Sequence, residues 1–226
     1  MGWSCKIKTN FFYTFVLLFL ASCASDRVDI ANEKNPQKLY EHGEKALKEG
    51  DYLEANDAFS EIRKRFSQSQ YFALAELGSA DNEFSQDSFA EAAALYGNFV
   101  ELYPNHKKAA YAQFQKAKSL MLDAPLNEAR DQSASSSAAK AASQLLARYP
   151  RSEYTKEAQE IVNRARLQLA KKEAYIARFY AKKNQKEASL NRWKKIPAEY
   201  KDLKNYEPAQ ALWKELEVAL KDQKSE

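Results

Sequence analysis

Residues 52–66 read YLEANDAFSEIRKRF, and residues 89–103 read FAEAAALYGNFVELY. Set 37 residues apart, Tyr52, Ala55, Phe59, Ile62 and Phe66 stand against Phe89, Ala92, Tyr96, Phe99 and Tyr103. The spacing i, i+3, i+7, i+10, i+14 lays one apolar stripe along an α-helix. Two such stripes at a fixed offset predict an array in which each unit buries its apolar face on the next. The aromatics at this spacing read as core.

The same register runs outward in both directions. Aromatics that end helices recur in RFSQS, LYPNH, RYPRS and EYKDL, at Phe66, Tyr103, Tyr149 and Tyr200, with intervals of 37, 46 and 51 residues. Proline or a polar cluster follows each one and stops the helix. A period in the middle thirties, with Gly43, Gly50-Asp51-Tyr52, Ala55 and Phe59 in order, resembles the tetratricopeptide repeat, a pair of antiparallel helices. Small residues such as Gly43, Ala55, Ala80 and Ala92 sit where two helices approach closely. The expectation is an all-α solenoid of helical hairpins with about four to five repeats and roughly nine helices. Its units are 36–66, 70–104, 107–149, 153–200 and 205–221, with 222–226 a disordered tail.

Two irregularities interrupt the array. LDAPLNEARDQSASS, residues 122–136, is too long for a tight turn and reads as a loop inserted in the third repeat, its serines a helix start plus solvated linker. Glu153 to Ala170 and Ala174 to Lys183 then carry more helix than one repeat needs. Near the end, Pro208 suits a first helical turn, and Leu212, Leu216, Ala219 and Leu220 form one apolar face. That face must fold back or meet another protein.

At the other end, Lys6 and Lys8 precede an uncharged run from Asn10 to Ala24. The run is shorter than the roughly 20 apolar residues that span a bilayer, and with its charged lead and small residues it has the parts of a secretory signal. Leu20-Ala21-Ser22-Cys23 resembles a bacterial lipobox, which implies cleavage before Cys23 and acylation of its thiol. Residues 1–22 are then the signal peptide and 23–35, polar and aperiodic, a flexible tether. Ala24 in place of aspartate, by resemblance to sorted lipoproteins of Gram-negative bacteria, points to the outer membrane. Cleavage would leave 204 residues with a net charge of +2 and no free thiol, because Cys5 departs and Cys23 is acylated. Stability must then come from packing and not from disulfides.

Little in the chain suggests catalysis. His42 and His106 have no metal-ligand spacing around them, no glycine cluster cradles a phosphate, and the acidic residues lie on helical faces. No cofactor or metal is implied. The chain reads as a binding protein, not an enzyme. Lys171 to Lys195 carries nine basic and two acidic residues, which leaves three readings: an acidic protein partner, anionic headgroups, or a solvated helix pair. Nucleic acid is set aside, because an exported lipoprotein rarely meets any.

Together the lipobox, the tether, the repeats, YPRSEYTKEA at 149–158 and LAKKEAYIARFYAKKNQKEASLNR at 169–192 resemble the BamD family, lipoproteins of the outer-membrane β-barrel assembly machinery. The resemblance implies an adaptor on the periplasmic face of the outer membrane. Its partners would be unfolded barrel precursors, a barrel-forming subunit with POTRA domains, and the machinery's other lipoproteins. Carried over by motif, Asn191 and Arg192, at the start of the eighth helix, would meet the POTRA region, where a planar guanidinium suits a carboxylate. Tyr40, Tyr52, Tyr71 and Phe72 are candidates for a precursor-binding groove. Asn184 and Lys186 stand where the family tends to have glycine and an aromatic, Ser67 where it has proline, and the family's final helix is lacking. A repeat lipoprotein that pilots a secretin or pilus component, or coordinates cell-wall synthesis, would share this anchor and fold.

Overall fold

The computed structural model describes residues 28–222, so Cys23 and residues 223–226 lie outside the described part. Among the described residues there are nine α-helices, two short 3-10 turns and no strand. They run α1 Pro36–Glu49, α2 Tyr52–Arg65, α3 Tyr71–Ser85, α4 Phe89–Leu102, α5 Ala109–Asp123, α6 Ser133–Arg148, α7 Thr155–Lys182, α8 Lys186–Glu199 and α9 Gln210–Asp222. Each helix packs on the next, and the first helices of neighbouring hairpins also touch, α1 on α3 and α5 on α7. The result is the expected tetratricopeptide-like stack.

Local chemistry sets the boundaries. Asn35 caps α1 by accepting the Gln37 N–H at 2.9 Å, with Pro36 pre-set for the first turn. Gly50 ends α1 with φ 80°, a left-handed conformation that glycine adopts without steric cost, and Asp51 caps α2 by accepting the Glu54 N–H. The four recurring aromatics are all C-caps. Phe66, Tyr103, Tyr149 and Tyr200 each donate N–H to the carbonyl four residues back and leave the helix at φ between −123° and −128°. Each then accepts an N–H three residues on, from Ser69, His106, Ser152 and Leu203. One turn is used four times.

The core is assembled from small residues and the rings that fill them. Phe59, Tyr96, Phe99 and Leu145 are fully buried. The Phe59 edge is held between Gly43 and Gly78: a Cβ on the first would stand 2.7 Å from Cε1, and on the second 2.6 Å from Cζ.

Several expectations are corrected in detail, and the alternative left open for the last helix is decided. The inserted loop is shorter than the sequence suggests, because α5 continues to Asp123 and α6 already begins at Ser133. Asp131 accepts the Ser133 N–H at 2.8 Å, and Ser135 is buried, so the serine run is helix rather than linker. The loop is also held down. Lys172 Nζ donates to the Ala129 and Arg130 carbonyls at 3.0 and 3.2 Å, and Arg178 bridges Glu128 in the loop and Glu215 on α9. The two helical stretches after it are one helix of 28 residues. The apolar face of α9 folds back: Leu212 and Leu216 join Leu167, Trp193 and Ile196 in one buried cluster. Finally, the described part of the segment read as a free tether lies on the first hairpin, with Ile30 packed there and the Arg65 guanidinium donating to the Ala31 and Glu33 carbonyls.

Candidate functional site

The first helices of successive hairpins present an aromatic and charged row. On α1 the Tyr40 hydroxyl donates to Glu44 at 2.6 Å, and its ring lies 5.8 Å from Tyr71 on α3 and 6.0 Å from Phe59. Further along, Asp81 on α3 is largely buried and accepts both the Tyr96 hydroxyl, at 2.6 Å, and the Tyr111 hydroxyl, at 2.8 Å, on one oxygen. Gln115 donates to Tyr111 in turn, at 3.0 Å. Tyr154, at the head of α7, continues the row with its ring 6.0 Å from Tyr111 and stacked on Phe114 at 4.9 Å.

Electrostatics here run against ordinary preference. Burial pushes the Asp81 carboxyl above its usual 3.8, and the two tyrosine hydrogen bonds only partly offset that. Burial and the Asp81 charge push the Tyr96 and Tyr111 hydroxyls up, so both keep their protons and remain donors. For a carboxyl raised in the fold, the folded chain holds a proton that the unfolded chain has released. Its contribution to stability therefore falls as pH rises from about 3.8 through the folded value. Asp81→Asn, whose Oδ1 can still accept both hydroxyls, is expected to raise the melting temperature at pH 7, with the gain shrinking toward pH 4. A lower melting temperature at pH 7 would show that the charge itself holds the tyrosines.

The structure brings together two of the four groove candidates from sequence, Tyr40 and Tyr71. Tyr52 instead opens α2, the second helix of its hairpin, where its carbonyl accepts from Asn82 at 3.1 Å. Phe72 is partly buried, without a ring contact to the tyrosines among the described residues. Asp81, Tyr111 and Tyr154 were missed. Tyr154 had a signal: Phe66 to Tyr71 and Tyr149 to Tyr154 share a five-residue spacing, with Ser69 and Ser152 accepting the second tyrosine's N–H at 3.2 Å in each case.

At the other end, Asn191 and Arg192 lie within the second turn of α8, not at its start, because α8 begins at Lys186. Asn184, with φ 56°, makes the left-handed turn between α7 and α8 where glycine is usual, a conformation asparagine tolerates. Asn191 is exposed. Arg192 is partly committed: it bonds Glu173 of α7 at 3.0 Å, and Lys195 takes the other carboxylate oxygen at 2.5 Å. Burial of Glu173 opposes its charge, but the two cations outweigh it and hold the carboxyl below its usual range. Part of the basic stretch is likewise engaged within the chain, since Lys172 and Arg178 are spent on the loop and α9. No group of histidine, cysteine and carboxylate side chains among the described residues could hold a metal ion.

A solenoid of antiparallel helical hairpins places the chain in the class of tetratricopeptide-like repeat proteins. Residues 32–225 match the family model YfiO, described as outer membrane lipoprotein, and the chain belongs to this family. Among curated relatives, a Caulobacter vibrioides protein named outer membrane protein assembly factor BamD is 30% identical over 78% of this chain. That match spans 59% of the relative's own length. Proteins of the same name from Neisseria gonorrhoeae and Rickettsia prowazekii are 27% and 28% identical, over 90% and 79% of this chain and 80% and 70% of their own.

Proposed function

We propose that this chain is a lipid-anchored adaptor without a catalytic step in the assembly of outer-membrane β-barrels. The family match from residue 32 to residue 225 carries the reading. Signal cleavage leaves Cys23 at the amino terminus, and its acyl chains hold the protein at the periplasmic face of the outer membrane, since several chains bind far more firmly than one. With Ile30 docked on the first hairpin, the residues between it and Cys23 reach at most about 25 Å at 3.3 to 3.6 Å each. The first repeats therefore work close to the bilayer.

In this reading the amino-terminal repeats hold extended segments of unfolded barrel precursors along Tyr40, Tyr71 and the Asp81 row by apolar and backbone contacts. The carboxy-terminal repeats dock through Asn191 and the free edge of Arg192 on the POTRA region of the barrel-forming subunit, beside the machinery's other lipoproteins.

Gentle crosslinking in cells, followed by purification on a carboxy-terminal tag, is expected to recover a POTRA-bearing barrel protein. Recovery of a secretin, a pilus component or cell-wall synthesis proteins in its place would replace the assignment. Photo-crosslinkers at Tyr40 and Tyr71 are expected to capture barrel precursors, and an empty lane would remove the groove. Mass spectrometry is expected to find a chain that starts at acylated Cys23, and an intact leader would remove the anchor.

A further inference from the structure

Two recesses of opposite charge meet at one side chain, Tyr111. On one side, Glu44, Asp81, Phe84, Tyr96 and Tyr111 line a recess of about 290 Å³ whose two carboxylates stand against one cation, Lys48. On the other, Lys107, Lys108, Arg148 and Arg151, against the single carboxylate of Glu153, surround a recess of about 910 Å³ that Tyr111 and Tyr154 also line. All four cations are exposed, and none pairs with a carboxylate among the described residues. The carboxylate side is equally uncommitted in part: Asp81 uses one oxygen for both tyrosines, and among the described residues no partner holds the other. Lys108 lies over the Tyr111 ring, 5.5 Å from its centre, at the boundary between the two.

We infer that this groove takes an extended polypeptide segment that carries both charges in a fixed order: a lysine or arginine at the Glu44–Asp81 recess, and an acidic side chain at the Lys107–Arg151 recess. The inference rests on the groove reading above and adds polarity to it. An anionic lipid headgroup fits the basic recess alone and is repelled by the neighbouring carboxylates. A uniformly basic segment meets the converse. One segment with both signs satisfies both recesses, and Tyr111 and Tyr154 give it an aromatic wall between them. Side chains alternate faces along an extended segment, so two charges that meet the same groove wall stand an even number of residues apart.

The test uses the full chain and fluorescent peptides of identical composition, with a lysine and a glutamate separated by one or three residues in an alternating aromatic and polar background. Each peptide is paired with its isomer in which the two charges exchange places. One order is expected to bind at least fivefold tighter than the other by fluorescence anisotropy. In Lys107→Glu/Arg151→Glu, an exposed and unpaired pair whose replacement leaves the core untouched, that preference is expected to vanish or invert. Equal binding of both orders overturns the polarity while leaving the groove in place. Absence of binding by either order removes the groove itself. Binding to phosphatidylglycerol vesicles that the double variant abolishes, with no order preference among peptides, would assign the basic recess to a headgroup and overturn the inference.

Discussion

Gly78→Ala is expected to lower stability by about 2 kcal/mol, read as a fall of roughly 4 to 8 °C in melting temperature. Two effects of opposite sign compete. Alanine is the better helix former by about 1 kcal/mol. Against that, its Cβ would stand 2.6, 2.7 and 2.9 Å from three atoms of the Phe59 ring. The ring cannot retreat, because it is fully buried and the same edge already lies against Gly43. Overpacking of a rigid core group costs up to about 3 kcal/mol, so the steric effect wins. Gly97 supplies the contrast. A Cβ there meets the Nζ of Lys116 at 2.9 Å, the far end of a side chain that can swing away. Gly97→Ala is therefore expected to hold or raise the melting temperature. Phe59→Leu should cost less in the Gly78→Ala background than in the parent chain, and strict additivity in that double-mutant cycle would show that ring and glycine do not contact as described.

Under the docking proposed above, Arg192→Glu is expected to weaken copurification with a POTRA-bearing subunit, but also to destabilise the carboxy-terminal repeats by about 2 kcal/mol. Glu173 has only a tenth of its side chain exposed, and it sits between Arg192 and Lys195. Loss of one partner of a buried pair ranges to about 5 kcal/mol, reduced here because Lys195 remains and the guanidinium is more than a third exposed. The charge reversal also adds a second carboxylate beside the first. Arg192→Gln separates the two roles: Lys195 still holds Glu173, so the melting temperature should fall by less than half as much while copurification with the partner is lost. Full copurification with the glutamine variant would leave Arg192 a structural residue only. Because the Glu173 carboxyl is lowered in the fold, its contribution to stability is present above the ordinary value of 4.5 and is lost as pH falls through the folded value. The difference between Arg192→Glu and the parent should therefore close in acid.

The hairpin register was legible because it depends on local chemistry that a sequence displays. Phe66, Tyr103, Tyr149 and Tyr200 mark helix ends in the sequence and cap helices in the structure. Gly50 and Asp51 stop one helix and start the next through their own backbone and side chain. What stayed hidden depends on partners far along the chain. Glu173 and Arg192 are 19 residues apart on different helices, and nothing in either segment announces their bond. Asp81 looks like a surface carboxylate until α5 brings Tyr111 to it from 30 residues away. The start of α8 was misplaced because an asparagine makes the turn that glycine usually makes. The continuity of α7 was obscured by Lys171 and Lys172, which interrupt its apolar stripe, though one of them is spent on holding the loop.

That 28-residue helix has neither glycine nor proline, and it extends about 42 Å at 1.5 Å per residue. Tyr154 stands at its head, Glu173 two-thirds of the way along, and Arg178 braces its far end against α9. With no breaker to serve as a joint, its two ends are expected to move as one rigid body, the tyrosine end with the arginine end.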